Sequence, residues 1–284
     1  MSRADPTPRP VIVPLDATAR SAAILPVIRT VLELFETSAC IVPLDPAAPT
    51  LERLRKRLPE LERLWVSACG KLEADPAEAI IRAACERNGQ GIAMALEADP
   101  GSDSGLQAFI ETVLGALRCP ILLIPCEGLP EEWRLRRVVL PHDGSPEVGR
   151  AIGPAVRLAE RAKASLLVLH VSGASPPPEQ PGTLATPRYI DQPHHEWPAW
   201  AAEFLERVAA LCGKPPAVPM EMYVARGEPG REVVRFTREH RGDLLVLPWH
   251  CRLEPSRALT LRTILRDPPC PLAMLPAGPD REAG

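Results

Sequence analysis

Short apolar runs alternate with stretches of helical periodicity along the whole chain. The runs consist mainly of Val, Ile and Leu without polar alternation, which is typical of parallel strands that are covered on both faces. In the first half, the pattern predicts strands near 10–15, 39–44, 65–70, 91–96 and 120–124, and helices near 19–36, 50–64, 76–87 and 104–117. In the second half, it predicts strands near 136–141, 165–171, 218–224, 243–248 and 271–275, and helices near 146–162, 198–212, 229–240 and 257–266. This alternation indicates an α/β fold built from doubly wound parallel sheets.

The two halves of the chain repeat one another. The segments RPVIVPLD and RRVVLPHD each end an apolar run in Pro-x-Asp, which places Asp16 and Asp143 in register. The second copy is longer because it contains a Pro-rich segment near 172–198. We interpret this segment as a surface insertion, since closely spaced prolines prevent regular elements. The sequence therefore predicts two tandem domains, 1–128 and 129–284.

Each half closes with Cys-Pro ahead of a short apolar run, RCPILLIP in the first and PCPLAMLP in the second. One hypothesis is chemical and makes Cys119 and Cys270 reactive or metal-binding residues. The other is architectural and places both at the start of the same buried strand in each copy. No histidine is in register with both cysteines, so we predict that they are small apolar residues rather than nucleophiles.

Composition narrows the class of protein. A chain of 284 residues with 45% hydrophobic content is long enough for two cores, and a net charge of -3 predicts no attraction to nucleic acid or to anionic membranes. No apolar run approaches a membrane-spanning length, and the start of the chain does not resemble a secretory signal. The 8 cysteines are scattered without CxxC pairs, and Cys40 has apolar neighbours. This usage favours reduced, buried thiols in a cytoplasmic protein over a disulfide framework.

The landmarks of the second half occur in the order VVLPHDGS, LLVLHV, DLLVLPWH and PCPLAMLP. This order resembles the universal stress protein family, whose typical pattern has V-P-x-D-G-S, L-x-H-V, D-L-I-V-M-G-T-H-G-R and A-P-C-P-V-L-V-V. The first half matches through Pro-Leu-Asp, the helix start DPAEAI and CPILLIP, and is more diverged. The resemblance implies two tandem five-stranded, Rossmann-like units of the adenine nucleotide alpha hydrolase type, each with strand order 3-2-1-4-5.

The resemblance also implies where a ligand would bind. In an open parallel sheet, ligands lie beyond the carboxyl ends of the strands where the strand order reverses. In nucleotide-binding family members, the aspartate after the first strand lies near the adenosine. Candidate contacts for ATP or AMP at these strand ends are Asp143, Gly144, Ser145, His170, Val171, His250 and Arg252 in the second half, and Asp16 in the first.

The sequence departs from the family where phosphates would rest. The family loop reads G-x-x-G-x9-G-S/T, and its glycines let successive backbone N–H groups face an anion. Here Pro248, which has no N–H, and Cys251, which has a side chain, stand in place of the two leading glycines. The following segment, LEPSRALTLRTIL, contains no glycine. In the first half, the acidic residues around Gly101 and Gly105 would repel phosphate: Glu97, Asp99 and Asp103. We therefore predict no tightly bound cofactor, with ATP or AMP as the alternative.

Two further hypotheses concern the side chains at the strand ends. Five histidines fall on the same predicted side, near Asp143 and Cys251, and could in principle hold Zn: His142, His170, His194, His195 and His250. Their spacing matches no compact ligand motif, and such histidines are ordinary in the family, so no metal site is expected. Asp16 and Asp143 have two alternative roles, since they could contact a ligand or accept backbone N–H bonds that close the strand-to-helix turn.

No Ser-His-Asp, paired-carboxylate or Cys-His arrangement is evident, so no enzymatic activity is expected. The favoured function is that of a non-enzymatic stress-response or regulatory protein. The alternatives are an adenine-nucleotide (ATP or AMP) sensor that uses the second crevice and could carry slow ATPase activity, and a small-molecule or metal-binding module. We expect the two copies to pair within one chain through their fifth strands, because pairing covers an exposed sheet edge. The sequence leaves open whether two chains form a homodimer.

Overall fold

The computed structural model describes residues 9–69, 75–96, 112–113, 116–117, 119–142, 146–172, 206, 217–249 and 255–276. The chain divides into two compact units, Met1–Arg134 and Leu135–Gly284. Within the described ranges, no helix is both long enough and apolar enough to cross a membrane.

The first unit is an α/β sheet with helices between its strands. Its described elements are β1 (Val11–Leu15), α1 (Ala19–Phe35), β2 (Ala39–Pro43), α2 (Leu51–Arg57), a 3-10 helix (Pro59–Arg63), β3 (Val66–Ala68), α3 (Pro76–Glu86), β4 (Gly91–Leu96) and β5 (Ile121–Pro125). The strand order is β3-β2-β1-β4-β5, and neighbouring strands are parallel.

The second unit repeats this arrangement. Its described elements are β6 (Arg137–His142), α4 (Pro146–Ala162), β7 (Ser165–Ser172), β8 (Met220–Arg226), α5 (Pro229–Glu239), β9 (Leu244–Trp249), α6 (Pro255–Arg266) and β10 (Leu272–Pro276). The strand order is β8-β7-β6-β9-β10, again with parallel neighbours. Counted within the unit, this is the order 3-2-1-4-5, so the predicted fold class is confirmed.

Local sequence signals explain why the helices begin where they do. The Thr18 side chain accepts a hydrogen bond from the Ser21 N–H at the start of α1, and the Asp75 carboxylate accepts one from the Ala77 N–H at 2.8 Å at the start of α3. The Glu228 carboxylate accepts bonds from the first N–H groups of α5. Proline follows Asp75 and Glu228 directly, at a helical position where its missing N–H costs nothing.

The cores lie around the central strands. The whole of β1 is buried, and the second unit has the same character in the middle of β6, β7 and β9. These strands have no solvated face, which explains why their sequences read as continuous apolar runs rather than alternating ones. Burial of such runs against helices is the main source of stability in each unit.

Some of the predicted helices are interrupted or lie outside the described residues. The helix predicted over 50–64 is interrupted, because α2 ends at Arg57 and a 3-10 helix begins at Pro59, whose ring and missing N–H cannot continue an α-helix. The helix predicted at 104–117 lies largely outside the described residues. The predicted helix at 198–212 and the Pro-rich insertion near 172–198 also fall there, apart from single positions.

The prediction that the cysteines are reduced is wrong for one pair. Cys40 in β2 and Cys69, directly after β3, form a disulfide with a Cα–Cα distance of 5.6 Å. Both side chains are buried. The two residues are 29 positions apart and become neighbours only because β2 and β3 pair in a parallel register, which the linear spacing of cysteines does not reveal. In the described part of the chain, Cys85, Cys119, Cys126 and Cys270 do not form disulfide bonds.

Candidate functional site

The sheet of the second unit opens at its carboxyl edge between β6 and β9. The ladder that joins these two strands covers Val138–Leu244 and Val139–Leu245, near their amino ends. The ladders that join β6 to β7 and β9 to β10 run on to the strand ends, at His142 and Trp249. The carboxyl ends of β6 and β9 are thus free to diverge at the point where the strand order reverses. This is the position of ligand crevices in open α/β sheets.

The same opening occurs in the first unit. The ladder between β1 and β4 covers Val11–Gly91 and Ile12–Ile92, whereas the β1–β2 ladder extends to Leu15. Each unit therefore has one candidate crevice, set by the strand order and not by any particular side chain. What each crevice can bind depends on the groups at the strand ends.

Two buried histidines lie side by side at the rim of the second crevice. His142 ends β6 and His170 lies opposite it in β7, and their side chains are only 4% and 5% exposed. Nδ1 of His170 lies 2.8 Å from the backbone oxygen of His142. A carbonyl can only accept, so Nδ1 of His170 carries a proton and donates it in this hydrogen bond. His170 thus ties β7 to β6, and Val171 follows it, half-buried.

Prolines replace N–H donors along this carboxyl edge. Pro141 is the second-last residue of β6 and Pro248 holds the same position in β9, opposite Leu275 of β10. Proline has no backbone N–H, so it can contribute nothing to an anion site built from main-chain donors. Such residues are tolerated here because the ladder between β6 and β9 has already ended, so no inter-strand hydrogen bond is lost.

Asp16 occupies the corresponding strand end in the first unit. Its Oδ1 accepts hydrogen bonds from the Thr18 N–H at 3.1 Å, the Thr18 hydroxyl at 2.5 Å and the Ser21 hydroxyl at 2.6 Å. The Ser21 hydroxyl oxygen in turn accepts the N–H of Asp16. Partial burial acts to raise the pKa of this carboxyl, but the hydrogen bonds from Ser21 and Thr18 together outweigh it and hold the pKa below its ordinary value. In this geometry, Asp16 closes the turn between β1 and α1.

The two Cys-Pro segments lie at the opposite, amino ends of β5 and β10. Burial raises the pKa of the Cys119 thiol, and raises that of the fully buried Cys270 thiol further. Both groups are therefore protonated at neutral pH, and a protonated thiol is a poor nucleophile and a poor metal ligand. Their environment is that of packing residues at the start of a strand.

Most of the predicted contacts in the second crevice lie outside the described residues: Asp143, Gly144, Ser145, His250 and Arg252. The same holds for His194, His195, Cys251, Gly101 and Gly105. Among the residues that are described, no three His, Cys, Asp or Glu side chains come together as a metal site. Sequence reasoning missed the interlock between His170 and His142, because it depends on the register of two strands. It also gave no attention to Trp65, which lies at a cleft on the other edge of the first unit.

Comparisons with known proteins agree with this architecture. The model of the universal stress protein family matches residues 134–276. A universal stress protein from Archaeoglobus fulgidus has a similar structure, with a TM-score of 0.64, 14% identity and coverage of 95% of this chain and 97% of that one. A functionally unknown protein from Pseudomonas aeruginosa PAO1 is also similar, with a TM-score of 0.63 and 15% identity. The match covers 94% of this chain and 92% of that one. At these identities the likeness shows the fold. A comparison with curated proteins found no match.

Proposed function

The chain belongs to the universal stress protein family, and from this premise we propose that it is a non-enzymatic regulatory protein whose second crevice does not bind ATP tightly. The observation that carries the proposal is the proline at the carboxyl end of β9. At the position of Pro248, the crevice would need its first backbone N–H donor to a phosphate, and proline has no backbone N–H.

The neighbouring groups do not replace the missing donor. Pro141 removes another N–H from the end of β6, on the other side of the opening. The Nδ1–H of His170 is engaged by the His142 carbonyl and is not available to a phosphate oxygen. A triphosphate carries several negative charges and needs many donors at once, so each loss weakens binding by an appreciable factor.

The absence of a catalytic role is supported by the described groups at the strand ends. The histidines near the ends of β6 and β7 are buried, and no three described His, Cys, Asp or Glu side chains cluster with a metal-binding geometry. The thiols of Cys119 and Cys270, in the two Cys-Pro segments, lie at the amino ends of their strands and are protonated at neutral pH.

The divergence of β6 and β9 favours a second candidate function. A crevice at the switch point is where open α/β sheets hold their ligands, so an AMP sensor that makes few phosphate contacts is the alternative to a protein without a nucleotide. ATP binding with slow hydrolysis would belong to the same class.

Native mass spectrometry of the purified full chain, followed by calorimetric titration with AMP and ATP, tests both candidates. We expect no co-purified nucleotide and no saturable heat with ATP. A Pro248→Gly/Cys251→Gly variant restores the two glycines and should gain ATP affinity, which shows that the assay can detect binding. Stoichiometric ATP in the wild-type protein would overturn the main proposal, and saturable AMP binding alone would select the sensor.

We also propose that the two units pair within one chain through β5 and β10. Each strand lies at the end of its unit's strand order, and an apolar edge strand left uncovered would invite association with other chains. Hydrogen exchange of the full chain tests this pairing. Amides all along β5 and β10 should exchange slowly, including those that do not bond to β4 or β9, and fast exchange of that second set would contradict the pairing.

A further inference from the structure

A separate cleft lies in the first unit near the amino ends of β2 and β3, whereas the crevice lies at the carboxyl ends of the strands. Its volume is about 340 Å³, at the lower end of the range for small-molecule sites. We call it the amino-edge cleft. It is formed by the last turns of α1, by the residues that lead into β2, and by the residues between the 3-10 helix and β3: Arg29, Leu32, Glu33, Glu36, Thr37, Arg63, Leu64 and Trp65.

The most unusual wall of this cleft is Trp65, whose side chain is 72% exposed. It is the most exposed of the large apolar side chains in the described part of the chain, although tryptophan normally contributes its area to a core. Leu32 and Leu64 lie buried beneath the cleft. The cleft thus offers an apolar floor and an aromatic ring that solvent can reach.

Charged side chains of both signs line the same cleft as the Trp65 ring. Arg29 and Arg63 contribute two positive charges, and Glu33 and Glu36 contribute two negative ones. Within the part of the chain that the structure describes, none of these four forms an ion pair, although all of them border one cleft. Their charges are therefore available to a ligand.

The backbone around the cleft is held in place. The Trp65 carbonyl accepts the Ala39 N–H at 2.9 Å, which fixes the residue against the start of β2. Glu36 ends α1 in the left-handed conformation with φ of 49°, and the N–H of Thr37 donates to the Leu32 carbonyl at 3.0 Å. Backbone positions that are set before binding lower the cost of ordering the site.

The balance of charge decides the class of ligand. A phosphate or another anion would be repelled by the two glutamates, and a simple cation by the two arginines. A purely apolar molecule would take water away from four charged groups without compensation. A small molecule with separated positive and negative ends matches both the two glutamates and the two arginines.

We propose that the amino-edge cleft binds a small zwitterion that carries an alkylated ammonium group and a carboxylate. The ammonium lies on the Trp65 ring with Glu33 and Glu36 beside it, where the attraction of the ring face for a cation adds to the charge attraction. The carboxylate accepts hydrogen bonds from Arg29 or Arg63, whose planar guanidinium suits it. This site is independent of the proposed crevice function.

Titration of the full chain with glycine betaine, followed by tryptophan fluorescence and by calorimetry, tests the proposal. We expect saturable binding with a Kd on the order of 1 mM, as one aromatic face and exposed charges allow. Glycine, which lacks the methyl groups, should bind more weakly. Tetramethylammonium and acetate, each with one charge only, should also bind more weakly. Equal binding of either single ion would overturn the zwitterion assignment, and no saturable binding of betaine would overturn the site.

Variants locate the binding and separate it from folding. Trp65→Ala should weaken betaine binding about tenfold, and Trp65→Phe should retain part of it, because phenylalanine keeps an aromatic face. Arg63→Gln and Glu33→Gln should each weaken it as well. Leu259→Ala removes another exposed side chain, 58% accessible, from the second unit and serves as the matched control with unchanged affinity. All these side chains are solvated, so melting temperatures should stay the same. Undiminished binding by Trp65→Ala would place the ligand elsewhere and refute the proposal.

Discussion

A substitution at Gly230 provides the sharpest test of how α5 and α6 pack against each other in the second unit. Gly230 is the second residue of α5, where this helix meets α6. A Cβ added there would lie 2.6 Å from Thr263 Cβ and 3.1 Å from the Thr260 carbonyl oxygen. These atoms belong to the backbone of α6 or attach directly to it, so they cannot rotate away. Gly230→Ala therefore forces the two helices apart.

Two opposing effects set the size of the change. Alanine is a better helix former than glycine and would by itself contribute at most about 1 kcal/mol to stability. Overpacking at a close helix contact typically costs about 1–3 kcal/mol, and contact with fixed atoms belongs in the upper part of that range. We expect a net loss of roughly 1–2 kcal/mol in the free energy of unfolding of the second unit.

Urea unfolding of the full chain measures this loss, and α4 supplies matched controls. A Cβ added at Gly149 meets nothing within 4 Å, and one at Gly153 meets only the Arg157 guanidinium at 3.3 Å. Both changes to alanine should raise stability by about 0.5–1 kcal/mol, because only helix propensity acts. If Gly230→Ala unfolds at the same or higher urea concentration than the wild type while the controls behave as expected, the close packing of α5 on α6 is wrong.

Three further predictions concern titratable and oxidisable groups. In the native protein at pH 8, iodoacetamide should modify the exposed Cys85 and leave Cys270 unmodified, because burial raises the pKa of the Cys270 thiol; peptide mapping checks this. Folding lowers the pKa of the Asp16 carboxyl, so this group stabilises the native state above its unfolded pKa, near 3.8, and the stabilisation is lost as pH falls through the folded pKa. Asp16→Asn should therefore flatten the dependence of stability on pH in that acid range. Without reductant, Cys40 and Cys69 should resist alkylation in denaturant. Because the disulfide closes a loop between residues 29 positions apart, reduction should lower the free energy of unfolding by about 3–4 kcal/mol. Equal denaturation midpoints with and without reductant would contradict the disulfide.

The sequence predicted the strands and several helix starts well because these depend on local signals. Unbroken Val, Ile and Leu runs marked the buried strands, Pro-x-Asp marked the end of β1, and proline at helix starts marked α3 and α5. The interruption of the helical run 50–64 at Pro59 followed equally from local chemistry. The resemblance of the second half to a known family supplied the strand order, which periodicity alone does not give.

The features that escaped prediction depend on strand pairing or on solvent exposure. Cys40 meets Cys69, and His170 meets His142, only once β2 pairs with β3 and β6 with β7. The exposure of Trp65 is likewise invisible in a sequence where it stands between Leu64 and Val66 as one more apolar residue. Register and exposure are tertiary properties, so a pattern of residue types cannot assign them.

The proposed function treats the two crevices as sites that retain the shape of a binding site without its phosphate-binding chemistry. The strand order makes β1 diverge from β4 and β6 from β9, so both openings form whatever residues stand at the strand ends. In the first unit, the Asp16 carboxylate is occupied by the turn that starts α1. In the second, Pro248 has no backbone N–H at the end of β9, and the proposed lack of tight ATP binding rests on this. Because topology produces the space and side chains produce the affinity, the shape of these crevices is no evidence of nucleotide binding, and the gain expected on restoring glycine at Pro248 measures the difference directly.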